Sequence, residues 1–273
     1  MGIARSKIIS FVLVLLAFVV WSGAFLKNHP QSFCFYNEFP VEARVAKVID
    51  GDTVVLEGGE KVRYLGINAP EVRVRVGNQW LLKAQICGEE AKVYNEKLVE
   101  GKKVTLEYDQ KKRDDYNRLL AYVWGDGVLI NGELLRKGLA LVDVRSPNRK
   151  YQKMFFDLQK EARDFHHGIW KKIGNHAFSD QEAFKLIGEI GMVQGTVTNV
   201  IIGRGKAYLH FGEYGENDFT GIIYKDNLRA FSWESKNLAG SFLGRKVKIY
   251  GFVKNSEGPA IIISAPSQVD IVN

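Results

Sequence analysis

The stretch "VIDGDTVVL", residues 48–56, carries two aspartates around one glycine, with apolar residues on both sides. A hairpin needs one Asp-Gly pair to turn the chain. Asp50 and Gly51 supply it, so Asp52 is surplus to the turn. Further on, "RYLGINAPE" offers Arg63, Asn68, Pro70 and Glu71, and "DDYNRLLAYV" offers Arg118. The proline fixes backbone direction and aims Glu71 from a stiff support. These residue types suit attack of water on a phosphodiester. Carboxylate, amide and carbonyl oxygens bind a hard cation. A carboxylate can take the proton of water. Guanidinium forks answer the charge that grows on the phosphoryl oxygens.

The elements that must position these groups are legible from pattern. "VEARVAKVID", "TVVLE" and "KVRYLGI" read as strands joined by the DGD and GGE turns. Residues 72–88 read as an irregular polar loop, and 89–99 as a helix. "KKVTLEYD" and "RLLAYVWG" read as strands. "LINGELLRKGLA" reads as a short helix closing on Gly138. "YQKMFFDLQKEARDFHHGIW" reads as one longer helix with a glycine stop at 168. The pattern breaks over 174–188. Beyond it, "GMVQGTVTNVII", "KAYLHFG", "DFTGIIY", "RKVKIYGFVK", "PAIIIS" and "QVDIV" read as short strands, with a helical segment near "SWESKNLAG". A helix between the third and fourth strands suggests a small barrel of the OB type; a β-sandwich fits the same strands. The expected segments are 1–26, a linker at 27–40, one domain at 41–174 and a second at 190–273.

The first residues differ from the rest. Arg5 and Lys7 precede nineteen uncharged residues, 8–26. That length spans a bilayer as a helix, with the amino terminus inside and the rest outside the cytoplasm. The alternative is a secretory signal cut after Ala24. In an exported chain Cys34 and Cys87 can pair; two cysteines without a nearby histidine argue against structural zinc. The net charge is +7. Residues 41–176 hold 25 Lys and Arg against 20 Asp and Glu, while 188–273 hold 9 against 8, so the excess that suits a polyanion sits with the chemical residues.

Taken together, "VIDGDTVVL", "RYLGINAPE", "GEEA", "LVEGKKVTLEYD", "DDYNRLLAYVW", "LINGELLRKGLALV" and "GIW" resemble the staphylococcal nuclease (thermonuclease) family over about 41–172. The resemblance implies an α+β fold: a five-stranded OB-type barrel with packed helices. The strand pattern adds a second, small OB-like barrel, and 8–26 adds a transmembrane helix. The family also implies Ca2+-dependent endonucleolytic cleavage of DNA and RNA, with Mg2+ or Mn2+ as other candidate metals. By position, Asp52, Asn68 and the carbonyl of Ala69 are metal ligands, Glu71 is the general base, and Arg63 and Arg118 hold the phosphate. Asp50 supports the turn and Tyr116 sits near the nucleotide. Two departures stand out. The family usually has aspartate where this chain has Asn68, which removes one charge from the metal site. It commonly has glycine where Asn117 stands, a mild change because asparagine tolerates a left-handed backbone. The rival expectation is a weakened nuclease-fold module that binds nucleic acid or an envelope protein.

Overall fold

A computed structural model describes residues 39–272, apart from 77–78, 82–83, 204, 213–217, 229–230 and 232–237. The expected membrane segment at 8–26 and Cys34 lie outside the described residues, as does part of the expected helix near 232–240. Among the described residues no helix is long and apolar enough to cross a membrane. Cys87 is a buried thiol.

The chain opens as a meander of β1 (Glu42–Asp50), β2 (Thr53–Leu56) and β3 (Lys61–Tyr64). Val45, Val48, Val54, Leu56, Val62 and Tyr64 turn inward and fall below 5% exposure, the alternation that a half-buried sheet demands. After β4 (Gly66–Asn68) and a hairpin of β5 (Val74–Val76) and β6 (Gln79–Leu81), α1 (Gly88–Val99) leads into β7 (Lys103–Glu107) and β8 (Leu119–Gly125). β7 pairs antiparallel with β1 and with β8, and β8 runs parallel to β3. That last pairing closes β1, β2, β3, β7 and β8 into a five-stranded barrel. β9 (Val128–Leu129), α2 (Ile130–Arg136), β10 (Leu141–Asp143), α3 (Gln152–Asp164) and α4 (Ile169–Ile173) follow and cover it.

Three local expectations are corrected. The loop over 72–88 contains the β5–β6 hairpin. β10 was not foreseen; it pairs antiparallel with β4, setting Leu141 opposite Asn68. The long helix over 151–170 is two helices. His166 adopts φ 54°, and the His167 amide donates to Ala162 O at 2.8 Å, which ends α3 before Gly168 is reached.

Residues 174–190 are structured. β11 (Phe178–Ser179) is followed by a 3-10 helix, Asp180–Leu186, whose Ala183 and Leu186 are buried. Then come β12 (Ile190–Thr196), β13 (Asn199–Ile202), β14 (Lys206–His210), β15 (Thr220–Tyr224), two short helices α5 (Lys225–Leu228) and α6 (Leu238–Phe242), β16 (Lys246–Asn255), β17 (Pro259–Ile262) and β18 (Val269–Val272). β13, β14 and β15 form a meander, β15 runs parallel to β17, and β16 pairs antiparallel with β12, β17 and β18. Residues 39–273 make one compact unit. Ile190, Met192, Tyr250 and Ala265 belong to the same buried apolar cluster as the first barrel. Arg163 on α3 pairs with Asp270, lies 4.3 Å from the Tyr250 ring and donates to Ser267 O at 2.6 Å.

Candidate active site

The turn at 50–52 is held from three sides. A Cβ on Gly51 would sit 2.6 Å from Ala69 Cβ and 2.8 Å from Ala91 Cβ, so only glycine lets the turn lie this close to β4 and α1. Asn95, fully buried on α1, donates to Asp50 O at 3.2 Å and accepts from the Tyr64 hydroxyl at 3.0 Å. Asp50 Oδ1 accepts the Asp52 amide at 3.0 Å. Asp50 therefore supports the turn and frees the Asp52 carboxylate to face elsewhere. Asp52 is 4% exposed. Its Oδ2 accepts the Ala69 amide at 2.6 Å and lies 3.1 Å from Arg63 Nη2; its Oδ1 accepts from Thr53 Oγ1 at 3.0 Å.

Burial pushes the Asp52 carboxyl up to about 7, against the pull of Arg63 and with the push of Asp50. Asp50 is raised too, first by burial and then by the charge of Glu71.

Arg63 is fixed by its own strand end. Nη1 donates to Tyr64 O and Ile67 O, both at 2.8 Å, and Nη2 donates to Asn68 Oδ1 at 2.9 Å. Arg118 is fixed by a loop. Asp114 Oδ1 accepts the amides of Tyr116 and Arg118 at 3.0 and 2.9 Å, and its Oδ2 accepts Arg118 Nε at 2.7 Å. Asn117 turns that loop at φ 62°, the left-handed conformation its side chain tolerates. Tyr116, 84% exposed, presents its ring 5.7 Å from the Arg118 guanidinium.

Glu71 is exposed, on the loop after Pro70. Its backbone is clamped by Gln85: the Glu71 amide donates to Gln85 Oε1 at 2.8 Å, and Glu71 O accepts the Gln85 amide at 2.9 Å. Gln85 Nε2 in turn donates to Gly188 O at 2.5 Å. Partial burial and the Asp52 charge raise the Glu71 pKa, while Arg63 and Arg118 lower it, so all four groups share one electrostatic field.

Arg63, Asn68, Glu71, Tyr116 and Arg118 line one cleft of about 380 Å3. Asp50, Asp52 and Ala69 do not line it; Asp52 and Ala69 are buried. Three positioning residues escaped the sequence reading. Asp114 had a signal, a carboxylate four residues before Arg118 in a turn-forming run. Gln85 and Asn95 had none, because neither periodicity nor spacing betrays a contact across 14 or 45 residues.

The donors fit a hard cation in part. The Asp52 carboxylate and Asn68 amide oxygen converge on the same Arg63 nitrogen, and every nearby donor is oxygen. Among the described residues no group of three His, Cys, Asp or Glu side chains is poised for a metal. A cation here would rest on carboxylate, amide, carbonyl and water oxygens.

Comparison with known proteins agrees with this geometry. The family described as "Staphylococcal nuclease homologue" matches residues 61–172. The endonuclease YncB of Bacillus subtilis is 39% identical over 143 residues, 49% of this chain and 64% of that protein. The thermonuclease of Staphylococcus hyicus is 35% identical over 130 residues, 46% of this chain and 74% of that protein. On that likeness, which the closed five-stranded barrel fits, the chain belongs to the staphylococcal nuclease family of hydrolases.

Proposed function

We propose that this nuclease is a metal-dependent endonuclease that hydrolyses phosphodiester bonds of DNA, RNA or both. The observation that carries the reading is the convergence of Glu71, Arg63 and Arg118 on one cleft. Glu71 takes a proton from the attacking water, and its raised pKa makes it a better base than an ordinary glutamate. Arg63 and Arg118, each pre-aimed by carbonyl or carboxylate partners, meet the charge that builds on the phosphoryl oxygens. The 5′ oxygen leaves. Tyr116 lies against the nucleotide. Asp52, Asn68 Oδ1 and the carbonyl of Ala69 would hold a divalent cation, Ca2+ first and Mg2+ or Mn2+ next, which polarises the phosphoryl group. We read the carboxy-terminal strands as a second barrel of the OB type. The run from Arg5 to residue 26 supports a membrane tether, or a cleaved signal, that carries the enzyme outside the cytoplasm.

The test is a nuclease assay of the chain with each metal and with chelator, beside Glu71→Gln. The variant keeps the fold and loses about 10²-fold or more in turnover. The acid limb of kcat/KM for the native chain lies above the ordinary glutamate value. Native turnover in Glu71→Gln, or full activity in chelator, defeats the mechanism.

A second reading, a binding module with weakened catalysis, is favoured by Asn68, whose amide leaves the site one charge short. Asn68→Asp separates the two. It lowers the metal concentration for half-maximal activity by about tenfold by adding a charged oxygen ligand. An unchanged midpoint would remove residue 68 from the metal site.

A further inference from the structure

We propose that the reaction cleft continues onto the outer face of the carboxy-terminal sheet as a track for one unpaired polynucleotide strand, with Tyr224 as its stacking platform. The proposal rests on the nuclease reading of the first cleft and extends it. Three hollows share their walls. The reaction cleft ends on Asp143, Arg145 and Ser146. A second cavity, of about 270 Å3, begins on those same residues and ends on Tyr224 and Asn227. A small third hollow joins Asn68 and Asp143 to Lys254 and Ser264. A chain lying over Asn68 thus meets continuous concave surface as far as β15.

The surface at the far end has the right chemistry. Strand register sets Lys206 opposite Tyr224 and Tyr208 opposite Ile222. Lys206 Nζ lies 5.3 Å from the Tyr224 ring centroid, which puts the two side chains on one face. Tyr208 stacks on His210 at 13° between planes. Leu209 on β14 and Ile223 on β15, the alternate positions, are fully buried, as is Phe219 just before β15, so the core is filled without Tyr224, which stays 38% exposed. An aromatic face beside a lysine suits a base and its phosphate. The acidic groups on the route are answered: Asp143 pairs with Arg145 at 2.7 Å and Asp226 with Arg149 at 3.5 Å. A duplex hides its base faces in the stack and gains nothing from the tyrosine.

The experiment uses the full chain as Glu71→Gln, so that binding is read without cleavage. Fluorescence anisotropy follows a labelled dinucleotide, a single strand of about twelve nucleotides and the matching duplex. Tyr224→Ala weakens the long strand about tenfold more than the dinucleotide, Tyr224→Phe does so by less than about twofold, and Lys206→Glu weakens it with a shallower salt dependence. Equal losses on long and short ligands, no loss with Tyr224→Ala, or a loss confined to the duplex overturns the track. A melting curve for each variant guards against unfolding. If the native chain cleaves nothing yet Tyr224→Ala still weakens the long strand selectively, the track stands and the nuclease reading of the first cleft falls.

Discussion

The two sheets of this protein share part of their pairing order. In each, a meander of three strands ends on one that runs parallel to a later strand, β3 to β8 and β15 to β17, and the strand before that later one pairs antiparallel with it. But β7 also pairs with β1, the first strand of its meander, whereas β16 pairs with β12, which precedes the meander. The connections differ. In the first sheet the turn at 50–52 carries two carboxylates and presses Gly51 against Ala69 and Ala91. In the second, the matching turn at 203–205 reads Gly-Arg-Gly, closed by the Gly203 amide on Lys206 O at 2.8 Å. After β3 the chain adds β4 and the loop that bears Pro70 and Glu71. After β15 it enters α5 at once. A set of strand pairings is therefore indifferent to chemistry; the site is furnished by the turn at 50–52, the inserted loop after β4 and the Asp114-held loop before β8.

The comparison breaks if the first sheet depends on the second only as a neighbour. The cluster shared through Ile190, Met192, Tyr250 and Ala265 argues otherwise. Deleting 190–273 strips large apolar side chains worth about 1.5–3 kcal/mol each. The truncated chain is expected to lose about 4 kcal/mol or more, read as a fall in the urea midpoint. An unchanged midpoint would mean that the junction contributes nothing to stability.

A subtler dependence runs through Gln85, which holds Glu71 with one side and Gly188 with the other. Gln85→Ala is expected to lower kcat by about tenfold with little change in KM, because substrate contacts remain while Glu71, the proposed base, loses its support. Gln85→Glu keeps an acceptor for the Glu71 amide but loses the donor to Gly188. Recovery of rate in that variant would show that only the clamp on Glu71 matters. A KM effect in Gln85→Ala without a kcat effect would reassign the residue to binding.

The smallest effect expected is none. Gly203→Asp with Gly205→Asp copies carboxylates into the second turn, which has no counterpart of the loop bearing Pro70 and Glu71, because β15 runs straight into α5. Cleavage is expected to stay within about twofold of native. A gain in activity or in metal binding would show that the turn alone makes a site.

Much of this arrangement could be read from the sequence. Glu71, Arg63 and Arg118 announce themselves because each stands beside a local cause: a proline, a strand, an Asp-Asn turn. The carboxy-terminal strands do so because their alternation is short-range and regular. The β4–β10 pairing was hidden because three-residue strands over 70 residues apart carry no local period. The break after α3 was hidden because it depends on a left-handed His166, and histidine, though commoner there than most residues, adopts that backbone only seldom. The sequence pattern changes over 174–188, yet the apolar cluster crosses that stretch, since burial is decided by which faces meet and not by where composition shifts.

The carboxyl of Asp52, pushed up by burial to about 7, bears on the proposed cation site. If Asp52 is a ligand there, its carboxyl would carry part of a proton near neutral pH when no ion is seated. Seating a divalent cation beside it would expel that proton, so uptake of the ion would be a proton-for-metal exchange. Affinity would climb with pH through neutrality, and the heat of binding would follow the ionisation enthalpy of whichever buffer receives the proton. A shift from an acidic to an alkaline setting would then act as a chemical arming step, loading the site before any nucleic acid arrives.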